Sequence, residues 1–220
     1  MAVIRGNDGD NRLVGTGSPD LIYGMSGDDT ILAGGGNDTV HGGEGNDRID
    51  AGAGNNRVLA GSGNDVVTSG AGNDTIDGGE GNDLINAGNG NNRVTAGEGN
   101  DRIVTGNGRD YIHAGEGNDT IISGAGNDTI IGDEGDDIIN AGAGHDRLTG
   151  GEGNDTLNGG LGNDTMTGGE GADRFVFNGG RDRITDFELD DDVIDVRFFN
   201  QLDSWADVRG AARQVGTDVV

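Results

Sequence analysis

The sequence predicts an all-β solenoid of short stacked strands, on three observations. Every ninth residue from Leu13 to Ile184 is apolar, twenty positions in succession without an insertion. Fifteen of the twenty are Ile or Val, side chains that favour strands because their branched Cβ packs well on a pleated surface. The residues between them are dominated by Gly, Asn and Asp, the types that tolerate positive φ and build tight turns.

Composition excludes other architectures. A chain of 220 residues with 48 glycines, five phenylalanines and 31% apolar residues has too little apolar volume for a two-layer core. Forty acidic residues face fourteen basic ones, all Arg, for a formal charge of −26. That balance repels nucleic acid and anionic membrane surfaces and attracts multivalent cations. No cysteine is present, so disulfides and thiolate metal sites are excluded and any staple uses oxygen ligands. Met1 to Asn11 lacks the apolar stretch of an export signal, and no segment approaches the roughly 20 apolar residues of a membrane span.

Along the chain, residues 1–5 form a short start and residues 6–185 carry the repeats. The unit is G-G-x-G-x-D-x-U-x, where U is the apolar position; Gly42 to Asp50 (GGEGNDRID) and Gly150 to Asn158 (GGEGNDTLN) match it in full. Gly stands four residues before U in nineteen units, Ser18 being the exception, and Ser18-Pro19 makes the first loop irregular. Each unit is expected to supply a strand of about three residues with one inward side chain, followed by a loop whose carbonyls and carboxylates converge. The residue before the third Gly is Glu in one alternate series, Glu44, Glu80, Glu98, Glu116, Glu134, Glu152 and Glu170, and mostly Gly, Ala or Asn in the other. With two units to a turn, these Glu residues should share one edge.

The repeat resembles the nonapeptide of the RTX (repeats-in-toxin) family over residues 6 to 185. The resemblance implies a right-handed parallel β-roll with 18 residues per turn and multiple calcium ions (Ca2+) between the loops of successive turns. It places the metal ligands at Asp20, Asp29, Asp38, Asp47, Asp65, Asp74, Asp83, Asp101, Asp110, Asp119, Asp128, Asp137, Asp146, Asp155, Asp164, Asp173 and Asp182, with weaker or empty sites at Asn11, Asn56 and Asn92, which carry no charge. It also implies folding driven by calcium, export through the type I secretion machinery and a secreted, extracellular or cell-surface location.

Residues 186–220 differ in character: all five Phe and the single Trp lie after residue 170. The segment is expected to cap the array, with Val193 and Ile194 over the last turn. Ser204 and Asp207 mark a short helix bearing Trp205, Val208 and Ala212. Gly216 to Val220 reads as an interrupted strand, as in a truncated chain.

Catalytic patterns are missing. His41, His113 and His145 occupy variable repeat positions outside any H-E-x-x-H spacing, and neither G-x-S-x-G nor a phosphate-binding glycine motif occurs. The expectation is a non-enzymatic, secreted calcium-binding protein with a structural or adhesive role. The alternatives are a secretion and folding module of a larger RTX enzyme or toxin, and an ice-binding adhesin module. Thr never occupies the position between the second and third motif Gly, which counts against ice binding.

Overall fold

The computed structural model describes residues 1–196 and the two short strands Gln214–Val215 and Asp218–Val219. The fold is a parallel β-solenoid of two facing sheets, with eleven parallel strands in each, so the chain completes about eleven turns. One sheet takes Val3–Arg5, Leu21–Ser26, Thr39–Glu44 and every second strand thereafter to Arg183–Ile184. The other takes Arg12–Val14, Thr30–Leu32, Arg48–Asp50 and their successors to Val193–Asp195. Partners in the repeats are eighteen residues apart, as in Ile22↔Val40 and Ile103↔Ile121, with a one-residue shift at Gly88↔Thr105. Ten steps at the strand spacing of about 4.8 Å make a stack roughly 48 Å long.

An 18-residue register carries each apolar position onto its equivalent in the next turn. The result is two inward ladders, one through Ile22, Val40 and Val58 and the other through Ile31, Ile49 and Val67, all buried. They meet as one core that runs from Leu13 to Ile184 and includes Phe175. Alanines such as Ala60, Ala96 and Ala114 fill the space beside the loops, where small side chains pack against the stacked backbones.

The strands of the two sheets differ in length, against the expectation of about three residues for each. In the first sheet most strands run six residues, because Gly43↔Gly61 and Glu44↔Ser62 continue the ladder past the apolar position. In the second sheet most strands are three residues long, as in Arg48–Asp50 and Thr120–Ile122. Glycine is required where these turns stack: Gly45 has φ 123°, and a Cβ there would stand 2.3 Å from the carbonyl oxygen of Gly27.

The ladders extend beyond residues 6–185 at both ends. Val3–Arg5 pairs with Leu21 to Tyr23, and Ile4 packs against the core. At the other end Val193–Asp195 pairs with Arg174–Val176 one residue late, at a separation of nineteen. Ile194 and Phe187 lie against the last buried layer, Phe187 tilted over Phe175 at 6.1 Å, while Val193 faces solvent. Arg174 pairs with the buried carboxylate of Asp195. Asp218–Val219 adds antiparallel to Ile184. The helix expected around Ser204 to Ala212 lies outside the described residues.

Candidate metal centres along the two loop edges

The loops stack into two edges. Loops of the first edge lead into the long strands and carry Asp20, Asp38, Asn56, Asp74, Asn92 and the following Asp at every eighteenth position to Asp182. Loops of the second edge lead into the short strands and carry Asn11, then Asp29 to Asp173. All seventeen motif aspartates are buried, with 5% exposure or less. Their hydrogen bonding is less uniform than their burial.

One carboxylate oxygen of each is committed to the fold. Along both edges the backbone N–H of a motif residue donates to Oδ1 of its counterpart one turn on: Asp29 to Asp47 at 2.8 Å, Asp101 to Asp119 at 2.7 Å, Asp164 to Asp182 at 3.1 Å. Asn56 and Asn92 keep this bond, accepting from Asp38 and Asp74 at 2.9 and 3.0 Å. The motif Asp is therefore a rung of the backbone ladder before it is anything else.

The second oxygen has no such partner. In fourteen motif aspartates, all but Asp20, Asp74 and Asp182, Oδ2 is fully buried and accepts no hydrogen bond. A buried acceptor without a donor costs about 1–3 kcal/mol, and more when charged. The two asparagines show what surrounds that atom. Their Nδ2 takes the corresponding place, where Asn56 donates to the carbonyls of Gly52 and Gly54 at 3.4 and 3.2 Å, and Asn92 to those of Gly88 and Gly90 at 3.2 and 3.3 Å. A carboxylate oxygen in that frame lies acceptor against acceptor. The next turn adds another: a Cβ on Gly42 would stand 2.4 Å from both Asp47 Oδ2 and the Ala60 carbonyl, and one on Gly78 would stand 2.4 Å from Asp83 Oδ2 and 2.5 Å from the Ala96 carbonyl.

The electrostatics agree. Burial pushes Asp47, Asp65, Asp83 and Asp101 up to about 7 against the opposing effect of the backbone N–H from the preceding turn, and neighbouring carboxylates add to the rise. Asp137 is pushed up to about 8 by the same causes. Asp20 is the exception. The N–H of Ala2, then the hydroxyl of Thr16, hold its carboxyl below the usual value; Oδ2 also accepts from the Thr16 N–H at 2.7 Å.

These groups fit a hard cation. Among the described residues no three His, Cys, Asp or Glu side chains converge on one point, so a transition-metal cluster built from side chains is not formed. The donors are instead carboxylate oxygens and backbone carbonyls from adjacent turns, the ligand class of calcium.

Beside the motif carboxylates runs a second ladder that the repeat pattern does not announce. On the second edge Asn46 Oδ1 accepts from both the backbone and the side chain of Asn64, at 2.9 and 3.2 Å; Asn82 and Asn100 repeat the arrangement. On the first edge the same row passes through Asn55, Asn73 and Asn91, and His145 joins it by accepting from the N–H of Asn163 at 3.0 Å. The other two histidines also make contacts: His41 stacks on Tyr23 at 4.9 Å and His113 lies 3.0 Å from Asp133. The Glu series falls on one edge, as expected. Glu80, Glu98, Glu116, Glu134, Glu152 and Glu170 pair in unbroken register, and Glu44 is separated from them by Ser62.

No helix among the described residues is long and apolar enough to cross a membrane. No curated protein matches the chain. A hyperactive, calcium-dependent, β-helical antifreeze protein from an Antarctic bacterium, known from an X-ray crystal structure, is 20% identical over 96% of this chain and 93% of its own, with a TM-score of 0.38. The model of the RTX calcium-binding nonapeptide repeat matches eight overlapping stretches between residues 5 and 184, most of the chain. The chain belongs to the RTX calcium-binding nonapeptide repeat family.

Proposed function

We propose that this chain is a secreted calcium-binding rod whose repeats fold when multiple calcium ions enter the loop edges. The role is structural or adhesive, without catalysis. The observation that carries this reading is the set of fourteen buried Oδ2 atoms without a hydrogen bond, beside backbone carbonyls that face them. Bound calcium supplies the positive charge that lets these acceptors sit together. The chain's own residues do the rest: Oδ1 of each motif Asp holds the turn beneath it, Oδ2 faces the ion, and glycine lets backbone carbonyls approach. Asn at 11, 56 and 92 brings no charge to its loop.

Calcium also decides where such a chain folds. In ion-free form, buried carboxylates repel their neighbours along both edges, and a glycine-rich chain has much entropy to lose on ordering. A chain that stays unfolded where calcium is scarce suits passage through a type I secretion channel, and it becomes a rod outside the cell. Residues 186–196 and the strand Asp218–Val219 close the last turn of the 6–185 array, with residues 1–5 at its start.

Equilibrium dialysis tests this reading. The full chain should bind several calcium ions in the presence of excess magnesium, which prefers a strict octahedron and retains its water. Equal displacement by magnesium, or no bound calcium, would contradict it.

A further inference from the structure

The two edges are not equivalent as calcium sites. On the second edge the unpartnered Oδ2 recurs at every turn from Asp29 to Asp173, nine in succession. On the first edge it occurs at Asp38 and then only at Asp110, Asp128, Asp146 and Asp164. Between those two blocks lie three consecutive rungs, Asn56, Asp74 and Asn92, each buried.

The chain's own donors close all three. The Asn56 amide spans the carbonyls of Gly52 and Gly54, and the Asn92 amide spans those of Gly88 and Gly90. Between them, Oδ2 of Asp74 accepts the hydroxyl of Ser69, whose oxygen also lies 3.3 Å from the Ala87 carbonyl. The equivalent hydroxyls of later turns lie closer to a carbonyl than to the carboxylate. Thr105 donates to the Ser123 carbonyl and Ser123 to the Ala141 carbonyl, both at 2.8 Å, which leaves Asp110 Oδ2 and Asp128 Oδ2 without a partner.

Resting on the calcium reading above, we infer that Asn56, Asp74 and Asn92 form a calcium-free joint. Ions fill the second edge continuously and the first edge in two separated blocks. The chemistry follows from sign. An amide NH₂ presents hydrogens where the cation would be, and it occupies the carbonyl lone pairs that the cation needs. The three rungs hold one carboxylate, whereas the next three rungs of the same edge, Asp110, Asp128 and Asp146, hold three. Calcium affinity rises with ligand charge, so the loss is greatest here. The turns from Gly52 to Asn92 are consequently clamped by calcium on one side, next to the Glu stripe, and by amide hydrogen bonds on the other.

Counting bound ions on the folded full chain at saturating calcium tests this directly. N56D/N92D should bind more calcium per chain than the unaltered protein. N55D alters an exposed neighbour whose Oδ1 accepts the N–H of Asn73, and it should leave the count unchanged. An unchanged count in N56D/N92D would overturn the joint while leaving calcium binding elsewhere intact. A complete absence of bound calcium in the unaltered chain would overturn the underlying reading as well. A measurement without substitutions gives an independent check: in the calcium-loaded protein, the side-chain NH₂ signals of Asn56 and Asn92 should exchange slowly with solvent by NMR. Rapid exchange at both would overturn the joint.

Discussion

The backbone N–H of Asp101 donates to Oδ1 of Asp119 at 2.7 Å, exactly one turn away along the second edge. The bond commits one oxygen of the Asp119 carboxylate to the ladder and leaves the other for the cation proposed above. Substitutions should separate those duties. Asp119→Ala removes both and leaves the Asp101 N–H buried without a partner, at about 1–3 kcal/mol, in addition to one lost ion. Asp119→Asn keeps the Oδ1 rung and loses the ion, so it should destabilise the loaded protein less. Asp20→Ala should lower stability without lowering the calcium count, because both its oxygens already accept hydrogen bonds from Ala2 and Thr16. Thermal unfolding in excess calcium, paired with ion counting, distinguishes the three.

Backbone conformation gives two opposite outcomes. Gly99 has φ 121°, and a Cβ there would stand 2.3 Å from the Gly81 carbonyl oxygen. Gly99→Ala should therefore cost at least the roughly 1–2 kcal/mol of a left-handed residue. Asp133 already occupies such a conformation, with φ 91°, at a place where most repeats have Gly. Its side-chain contact with His113 is exposed and contributes at most about 1 kcal/mol. Asp133→Gly should raise stability slightly or leave it unchanged, where Gly99→Ala lowers it. Unfolding midpoints at fixed calcium measure both.

Protons compete with the cation. Burial raises the motif carboxylates, to about 7 at Asp65 and Asp83 and about 8 at Asp137, above the ordinary 3.8. A raised acid binds protons more tightly in the folded chain than in the unfolded one. Its contribution to the ion-free fold is therefore complete below about pH 3.8 and is lost as pH rises through about 7 to 8. The ion-free chain at neutral pH is unfolded, and its aspartates titrate near the ordinary 3.8. Calcium-driven folding therefore releases few protons between pH 8 and 5, and its midpoint should stay nearly flat there, rising only as pH falls through about 4. Circular dichroism at a series of pH values checks this, and a midpoint that rises about tenfold per pH unit between pH 8 and 5 would contradict it.

Much of this was legible in the sequence because the pattern is periodic. An apolar residue every nine positions placed Ile22, Ile31 and their equivalents in the core, and the alternation of Glu44 and its successors placed them on one edge. The hydrogen-bonded ladders were not legible in the same way. Asn46 and Asn64 are eighteen residues apart, and their contact exists only once the turn length is known; taken singly, each reads as an ordinary turn former. The same holds for Ser69, whose hydroxyl differs from that of Ser123 in where it donates. Asp192 was hidden by a one-residue offset: it accepts the N–H of Asp173 at 2.9 Å across nineteen residues, and with Ile194 it extends the D-x-U pattern past residue 185. A scan that allowed a single insertion would have found it.

The central claim is that calcium drives the formation of this fold, and a calcium titration followed together by circular dichroism and small-angle scattering tests it most directly. An ion held between two turns orders half of the neighbouring site, so the transition should be steep. The account predicts an expanded chain with little β-structure in chelator and a compact, β-rich rod in millimolar calcium, with magnesium a poor substitute. A chelated chain already as compact and as β-rich as the calcium-loaded one, at neutral pH, would contradict it.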